Sequence, residues 1–366
     1  MKHSSVLLLP ALLALGCAHP APAPPPTTSL APGILHSPWD STPVKPNPQL
    51  AYECGPALVI GPDITVTATI DSRNKNLSED VKAAVYAESS SALQDLSKRV
   101  VSAADVYRTT GSLSAANCAG MLLTDAASHM AITGYMASTQ AWNEHNYALR
   151  AFSIAFLKVR GAGVIQPQYT QVITTWLDGL ARMERSYVEH LRCDAHKCGL
   201  HSHSGNQIAM AAATCAIAAN DPSLFHWAIS QYKAAVGMID DRGMLHYDNR
   251  SGRWAHIWNL ESAAALVQIA ELAEVNNDPL YGYDNGRIHL LVHTAALGLV
   301  DPTAYKAATG AAQKVRTPIQ PWEVVWASVY NRRFHDPVLE ALLRQIGLVP
   351  VDMWGGEPWS PEDDPS

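Results

Sequence analysis

Small and apolar residues recur at helical spacing along most of the chain, and Gly, Pro and Asp residues interrupt the pattern at intervals. The first such segment opens with Ser78, a residue suited to an N-cap, and its acidic first turn is followed by apolar positions as far as Tyr107. The pattern predicts about ten or eleven helices with short connections. After the first, the predicted helices comprise residues 114–136, 140–160, 167–191, 207–219, 222–239, 257–275, 286–299, 302–314, 321–332 and 337–346.

The inward faces of these predicted helices are rich in alanine, which lets antiparallel helices pack closely. We therefore predict an all-α fold, an incomplete (α/α) toroid or barrel of antiparallel helical hairpins. No strict repeat period is present, which disfavours a regular solenoid. Aromatic and histidine side chains concentrate in the connections, where loops at one end of a toroid would form a cleft. They are Trp142, His201, His203, Tyr247, Trp254, His256, Trp258 and Trp322.

The N-terminal residues have the features of an export signal, because Lys2 and His3 precede an apolar run that is too short to span a bilayer. Residues 14–17, Ala-Leu-Gly-Cys, resemble the lipobox of bacterial lipoproteins, with Cys17 as the lipidated residue. An ordinary signal peptide cut near residue 18 or 21 is the alternative. We predict a lipoprotein signal peptide at 1–17, a proline-rich tether at 18–48, a folded domain at 49–350 and a C-terminal tail at 351–366.

Six cysteines in an exported chain favour disulfides over reduced thiols. Cys193 and Cys198 are close enough in sequence to pair, and a bond between Cys54 and Cys118 would join the N-terminal segment to a helix. Cys215 lies in an alanine-rich run, where a buried free thiol is expected. A zinc site is the alternative for one tract, because imidazole and thiolate are zinc ligands. That tract contains His190, Cys193, His196, Cys198, His201 and His203.

The formal net charge is −7, and loss of Lys2 with the signal would make it −8, so the surface as a whole does not attract a polyanion. Nucleic acid is therefore not an expected partner. An acidic sugar polymer would need a local cationic cleft. Gly-rich phosphate loops and a Gly-x-Ser-x-Gly elbow are absent from the sequence, so nothing supports nucleotide use or the common hydrolase triad.

Several segments carry a resemblance to a known family. Residues 223–245, SLFHWAISQYKAAVGMIDDRGML, resemble the central helix and turn of the alginate lyase family, polysaccharide lyase family 5. Residues 146–160, NYALRAFSIAFLKVR, are similar to the family's preceding helix, and residues 117–123, 263–276 and 322–330 fall in the family's order. The resemblance extends from about Tyr52 to Phe334 and rests mostly on framework positions.

That resemblance implies an incomplete α/α toroid with a deep cleft, a periplasmic location, and β-elimination on polyuronates without a metal or other cofactor. It also implies an Asn-Asn-His motif before the central helix and an Arg and a Tyr downstream. Residues 201–206 are His-Ser-His-Ser-Gly-Asn, so His203 matches only after a shift of one residue and both asparagines are missing. Arg253 is one place off, Glu261 stands where the family's Tyr would be, and Lys75 follows the acidic residue that the family's lysine precedes.

β-Elimination from a uronate needs a cation for the carboxylate, a base for the C5 proton and an acid for the departing O4. We assign Arg253, with Arg73 or Lys75, to the carboxylate, because a guanidinium binds it through two hydrogen bonds. His203 is the predicted base, because imidazole titrates near neutral pH, and Tyr247 is the predicted acid. The alternatives are a solvated turn residue for Arg253 and an interfacial packing residue for Tyr247.

Further side chains are predicted to bind the sugar chain. Tryptophans in the cleft would stack on sugar faces, although Trp is also a common packing residue in helical proteins. Asn206 has a helix N-cap as its alternative role. The predicted substrate-binding residues are Arg73, Lys75, Trp142, His201, Asn206, Trp254, His256, Asn259 and Trp322, and Trp258 is a further stacking candidate.

The sequence therefore predicts a polysaccharide lyase that cleaves alginate or a related polyuronate by metal-independent β-elimination. We expect it to be exported as a periplasmic or outer-membrane-anchored lipoprotein, to act as a monomer and to contact the membrane only through its lipid. A catalytically inactive polyuronate-binding lipoprotein on the same fold is the alternative. Hydrolysis by two carboxylates such as Asp240 and Glu261 is a third hypothesis, because helical toroids also carry glycoside hydrolases.

Overall fold

Twelve α-helices make up most of the described chain. The computed structural model describes residues 33–56, 58–66, 79–191 and 199–357 of the 366. The helices are α1 (Glu79–Thr110), α2 (Leu113–Ser128), α3 (Thr139–Val159), α4 (Pro167–His190), α5 (His203–Ala219), α6 (Pro222–Val236), α7 (His246–Asn249), α8 (Ala255–Val275), α9 (Arg287–Val300), α10 (Thr303–Thr309), α11 (Ala327–Phe334) and α12 (Pro337–Ile346). Those residues contain no β-strand, and β-type pairing is limited to isolated bridges such as Ile64 with Met136. The all-α prediction is confirmed.

Several helix boundaries differ from prediction, among them α10, which ends at Thr309 rather than at residue 314, and α11, which begins at Ala327 rather than at residue 321. Helix α2 ends at Ser128 rather than at residue 136, because Met130 and Ile132 adopt left-handed backbone conformations with φ of 54° and 53°. Helix α5 begins at His203 rather than at residue 207. That earlier start places His203 and Asn206 on the first turn of a helix instead of in a connecting loop.

Helix α5 lies at the centre of the packing, in contact with α3, α4, α6 and α8. Its residues from Gly205 to Ala218 are all buried, and most of them are small, so the four neighbouring helices approach it closely. Gly205 is required where α5 begins, since a Cβ there would lie 2.4 Å from the carbonyl oxygen of Gly199. The short 3₁₀ turn Gly199–His201 therefore packs directly on the first turn of α5, where the site described below is built.

The C-terminal part of the predicted tether at 18–48 makes hydrogen bonds to the helices from Leu35 onward. The Leu35 N–H donates to Asn220 Oδ1 at 2.8 Å, and the His36 N–H donates to Asn276 Oδ1 at 2.8 Å. Both asparagines are C-caps, of α5 and α8 respectively. Two side-chain amides thus fix a segment that proline content alone predicts to be an extended linker.

The predicted tail at 351–366 is also packed as far as residue 357. Trp354 is buried, and the Lys158 ammonium of α3 donates to the carbonyl oxygens of Gly355 at 2.6 Å and Glu357 at 2.9 Å. A buried cation therefore holds a segment that carries no helical pattern of its own.

The described residues contain the disulfide Cys54–Cys118, with its sulfurs 1.95 Å apart and its Cα atoms 5.4 Å apart. It joins the segment before α1 to α2, as the sequence suggested. Cys215 is a buried free thiol, also as expected, whereas Cys193 and Cys198 lie outside the described residues. No helix in the described ranges is both long and apolar enough to cross a bilayer.

Candidate active site

His203 is the first residue of α5 and is held by Asp248 of α7. Its backbone N–H donates to Asp248 Oδ1 at 3.0 Å, and its Nδ1 lies 3.5 Å from the same oxygen, within ion-pair distance. The imidazole stacks on Trp258, with 4.5 Å between ring centroids and 19° between the planes. The His203 side chain keeps 19% of its surface exposed, whereas Asp248 keeps 1%. Nδ1 therefore faces a buried carboxylate, and Nε2, 3.3 Å from Ser204 Oγ, is the nitrogen left for chemistry.

Asp248 is itself fixed by α5 and α8. Its Oδ2 accepts a hydrogen bond from the Ser262 hydroxyl at 2.8 Å, and Ser262 Oγ accepts one from Asn206 Nδ2 at 3.0 Å. Burial alone would lower the pKa of His203, but the carboxylates of Asp248 and Glu261 raise it, and the net direction is upward. A buried partner that orients an imidazole and moves its pKa is the usual arrangement around a catalytic histidine.

Glu261 belongs to α8 and forms another contact between α8 and α5. Gln207, one turn after His203 on α5, donates from Nε2 to Glu261 Oε2 at 2.9 Å. Burial raises the pKa of Glu261, while the positive charges of His203 and Arg150 oppose that rise. The His203 imidazole and the Glu261 carboxyl group, both with shifted pKa values, therefore lie near each other where α5 packs on α8.

Arg150 of α3 is a fully buried cation close to the same pair. Its guanidinium carbon lies 5.0 Å from the Tyr147 ring centroid and 4.6 Å from that of Trp354, and Nη1 is 4.0 Å from Met210 Sδ. Nε and Nη2 have no hydrogen-bond partner among the described residues. Burial lowers the pKa of Arg150 to about 10, and the negative charge of Glu261 opposes that shift. The site thus contains a positive charge with unused donors.

The N-terminal half of α3 carries further buried polar groups. His145 Nδ1 lies 2.6 Å from Glu184 Oε1, and Asn146 Nδ2 donates to Glu184 Oε2 at 2.9 Å. Glu144 accepts a 2.6 Å hydrogen bond from the Tyr86 hydroxyl. His145 Nε2 and Asn146 Oδ1 have no partner in the described chain. Buried polar atoms without partners are uncommon, so their concentration on α3 and α5 marks this interior as the candidate binding region.

The predicted catalytic residues are only partly brought together. His201 stacks on Tyr247 with 5.5 Å between ring centroids, so the predicted acid lies beside the turn that leads into His203. Arg253 is exposed, with its guanidinium 5.3 Å from the Trp254 ring centroid. In the part of the chain that the structure describes, no hydrogen bond, ion pair or ring contact links Arg253 to His203. The catalytic roles of these residues stay predictions.

Trp142, Trp254 and Trp322 are half-buried, and each contacts another side chain. Trp142 stacks on Tyr187 at 4.0 Å with 9° between the rings. Trp322 lies under the Arg316 guanidinium at 4.9 Å. All three keep part of their surface exposed, so stacking on a sugar ring stays a prediction for them.

Two predicted substrate-binding residues, His256 and Asn259, are buried and hydrogen-bonded to neighbouring elements. His256 is 2% exposed, and its Nε2 lies 2.9 Å from the carbonyl oxygen of Ala295 in α9. Asn259 is completely buried and accepts a 2.7 Å hydrogen bond from the Leu245 N–H. Helical spacing turns both side chains toward neighbouring elements, and their contact with substrate stays a prediction.

Asn206 is also a structural residue. It lies inside α5 and is buried, Ser202 is the N-cap, and the Asn206 amide donates to Ser262. The N-cap alternative is therefore wrong, whereas the substrate contact stays a prediction, since Asn206 Oδ1 has no hydrogen-bond partner among the described residues. Asn206 supports the Ser262 hydroxyl that binds Asp248.

Asp240 is engaged in a turn. Its Oδ1 accepts hydrogen bonds from the backbone N–H groups of Arg242 and Met244, each at 3.0 Å, and its Oδ2 pairs with the Arg242 guanidinium at 2.7 Å. Asp240 is thus occupied by its own turn, and hydrolysis by two carboxylates stays a hypothesis.

Several predicted residues lie outside the described residues, namely Cys17, Arg73, Lys75, Cys193 and Cys198. The tract that suggested zinc lies partly there as well. In the described ranges, no group of three or more His, Cys, Asp or Glu side chains is placed to hold a metal ion.

Three residues of the site were not selected from the sequence. Arg150 carried a signal, since it is a basic residue within the apolar run of residues 146–160. Nothing in the sequence pointed to Gln207 or Asp248, because each binds a residue that is distant along the chain. Asp248 is 45 positions from His203, and Gln207 is 54 positions from Glu261. Only packing of the helices reveals such pairs.

A surface cavity of about 460 Å³ lies at a different place, lined by Gly120, Met121, Ile165 and Tyr169 among others. Asp125 is the one charged residue in its described lining. Its described lining has no histidine and no cation, so we assign the chemistry to the α5–α7–α8 contact.

The chain is similar in sequence to known lyases. The alginate lyase family model matches residues 66–305. An alginate lyase of Pseudomonas putida is 26% identical over 189 residues, which cover 51% of this chain and 50% of that protein. A polysaccharide lyase of Stenotrophomonas maltophilia is 27% identical over 235 residues, which cover 63% of this chain and 67% of that protein. The match thus spans about half the length of the first relative.

Solved structures show a similar fold. Alginate lyase A1-III from a Sphingomonas species superimposes with a TM-score of 0.72 at 18% identity, over 89% of this chain and 90% of that chain. A variant of alginate lyase A1-III in complex with a tetrasaccharide gives 0.70 at 19% identity, over 88% of each chain. These likenesses confirm the predicted α/α toroid.

Proposed function

The chain belongs to the alginate lyase family, and from that membership we propose that it cleaves alginate or a related acidic polysaccharide by β-elimination. The observation that supports the proposal most directly is the pairing of His203 with buried Asp248 at the first turn of α5. It supplies a base whose orientation is fixed by another side chain.

The base is His203. Its Nδ1 lies 3.5 Å from Asp248 Oδ1, within ion-pair distance, and we assign the proton of the neutral ring to Nδ1 and the lone pair to Nε2. Nε2 removes the C5 proton of the uronate, and the imidazolium that forms is stabilised by the adjacent carboxylate. The reaction requires no redox step and no cofactor.

The carboxylate of the uronate needs a positive partner, because its charge increases as the C5 proton leaves. Arg253 is the proposed partner, together with Arg73 or Lys75. Arg253 stands in the short connection between α7, which contributes Asp248, and α8, which contributes Glu261. The exposure of its side chain leaves it accessible to a polymer.

The experiment is a substrate panel. Purified protein is incubated with mannuronate, guluronate and other uronate polymers in the presence of EDTA, and absorbance of the unsaturated product is followed. We expect product from at least one polymer, and a fall in kcat/KM of about 10²–10⁴-fold in His203→Ala. His226→Ala, an exposed histidine on α6, is the matched control and should leave the rate unchanged.

Other outcomes would contradict the proposal. Binding of every polymer without product would favour an inactive polysaccharide-binding protein. Shortened chains without a new double bond would indicate hydrolysis. Loss of activity with EDTA would contradict metal independence.

We also propose that the protein is exported and anchored by a lipid on Cys17. The support is the lipobox-like Ala-Leu-Gly-Cys at residues 14–17 and the Cys54–Cys118 disulfide, a bond that favours an oxidising compartment. Labelling with a radioactive fatty acid should be lost in Cys17→Ala. Label retained in that variant would contradict the anchor.

A further inference from the structure

One oxygen of the Glu261 carboxyl group accepts a hydrogen bond in the described chain, and the other does not. It lies on the second turn of α8, next to Ser262, which binds the carboxylate that orients His203. Gln207 donates to Glu261 Oε2 at 2.9 Å, and no other hydrogen bond to this carboxyl group occurs in the described chain. An N–H donor at Oε2 favours a proton on the opposite oxygen, Oε1. The side chain is half-buried, so Oε1 remains open to a ligand.

The surroundings of Glu261 favour its neutral form. The titratable and charged groups that face it are His203 from α5, Asp248 from α7, Arg150 and Tyr147 from α3, and Arg316 from the segment before Pro321. Burial raises the pKa of Glu261 most strongly, and Asp248 adds to the rise. The positive charges oppose it without reversing it.

A neutral carboxyl group also suits a negatively charged ligand. An ionised Glu261 would repel the carboxylates of a polyuronate, whereas a protonated one donates a hydrogen bond. Glu261 and His203 are close enough that each charge shifts the pKa of the other, so a polymer bound at His203 would meet a proton donor at Glu261.

We propose that Glu261, rather than Tyr247, is the acid that protonates the leaving O4 while His203 removes the C5 proton, an assignment that rests on the proposed lyase function. The C5–H bond breaks, its proton goes to His203 Nε2, and its electron pair forms the C4–C5 double bond. The C4–O4 bond breaks with its pair on O4, which takes the proton from Glu261 Oε1. His203 then returns its proton to the Glu261 carboxylate through solvent, so no oxidant or further reactant is needed.

The test separates proton donation from every other role of Glu261. Glu261→Gln keeps the shape and a hydrogen-bonding amide but has no acidic proton. One substrate is the polymer that the unaltered protein cleaves. The other is an oligouronide whose terminal unit carries fluorine at C4 instead of a linked sugar, because fluoride leaves without a proton.

We expect Glu261→Gln to lower kcat/KM on the polymer by about 10²–10⁴-fold. Fluoride release, followed by fluorine NMR, should stay within about three-fold of the unaltered protein. Glu274→Gln, the same change near the end of α8, is the matched control and should change neither rate. Circular dichroism and the urea midpoint of each variant report whether the fold is kept.

Two results would overturn the assignment while leaving the lyase function intact. One is polymer cleavage by Glu261→Gln at an undiminished rate. The other is fluoride release that falls as far as polymer cleavage, since that pattern indicates a role in binding or folding. Failure of the unaltered protein to form unsaturated product from any polyuronate is a different result, and it would overturn the proposed function and this assignment together.

Discussion

Helix α3 carries two buried cations in opposite situations. Lys158, near its C-terminal end, is 3% exposed, and Arg150, near its middle, is 0% exposed. Lys158 donates to Asp105 Oδ1 at 2.5 Å and to the carbonyl oxygens of Gly355 and Glu357. All three of its donors are therefore used.

Arg150 has no comparable set of partners. Nε and Nη2 are unpaired in the described residues, and its nearest neighbours are the rings of Tyr147 and Trp354 and the Met210 sulfur. The positive charge acts on Glu261 across space without a direct hydrogen bond. Removal of one partner of a fully satisfied buried charge destabilises a fold, whereas an incompletely satisfied charge is typical of a site that binds or reacts.

The largest expected effect is at the satisfied cation. Lys158→Met leaves Asp105 as a buried carboxylate without its cation and removes the hydrogen bonds to the carbonyl oxygens of Gly355 and Glu357, so we expect the free energy of unfolding to fall by about 3–5 kcal/mol. Urea denaturation measures it. The double variant with Asp105→Asn should recover part of the loss, because the uncompensated charge is gone. A loss below about 1 kcal/mol would mean that the cluster adds little, as is typical of surface pairs.

An intermediate effect is expected at the carboxylate beside the proposed base. Asp248 raises the pKa of His203, so Asp248→Asn should lower it, leaving burial as the dominant influence. His203 would then lose its proton at lower pH, and the acid limb of the kcat/KM profile should move to lower pH. We expect kcat/KM at its maximum to fall by about 10–100-fold, because the ring loses its orienting partner.

The control for that variant is Asp241→Asn, since the Asp241 side chain is 95% exposed. Its pH profile should match that of the unaltered protein. An acid limb that moves to higher pH in Asp248→Asn would contradict the assigned interaction.

The smallest stability effect is expected at the unsatisfied cation. Arg150→Met removes a charge that has few hydrogen bonds to lose, so we expect the free energy of unfolding to change by less than about 1 kcal/mol. Arg150 holds the pKa of Glu261 down, so its removal should raise that pKa further. Glu261 would keep its proton to higher pH, and the alkaline limb of the lyase profile should move upward. Destabilisation as large as in Lys158→Met would contradict the distinction between a fully hydrogen-bonded cation and one with unpaired donors.

The helices could be predicted closely from the sequence, and the exceptions are informative. Helix α12 occupies the predicted residues, because Asp336 caps it and Gly347 ends it locally. Helix α2 was predicted too long, since the left-handed conformations at Met130 and Ile132 depend on contacts with the segment around Pro62 and Ile64. The spacing of apolar residues does not predict left-handed backbone conformations of this kind.

The site was predictable in outline only. His203 was selected as the base on its own residue type and position, and the structure adds the Asp248 carboxylate behind it. His256 and Asn259 were predicted to lie in the cleft, yet the polar atoms of both side chains form hydrogen bonds inside the protein. A polar residue near a predicted cleft does not reveal which way its side chain faces.

The sequence by itself determined the helices and the family, because helical periodicity, caps and framework motifs are properties of neighbouring residues. Tertiary structure alone decided which polar groups meet. Gln207 reaches Glu261 across 54 positions and Asp248 reaches His203 across 45, and both contacts exist only because α5, α7 and α8 pack together. Burial in that contact sets the direction of each pKa shift, and burial is a property of the folded chain rather than of any segment.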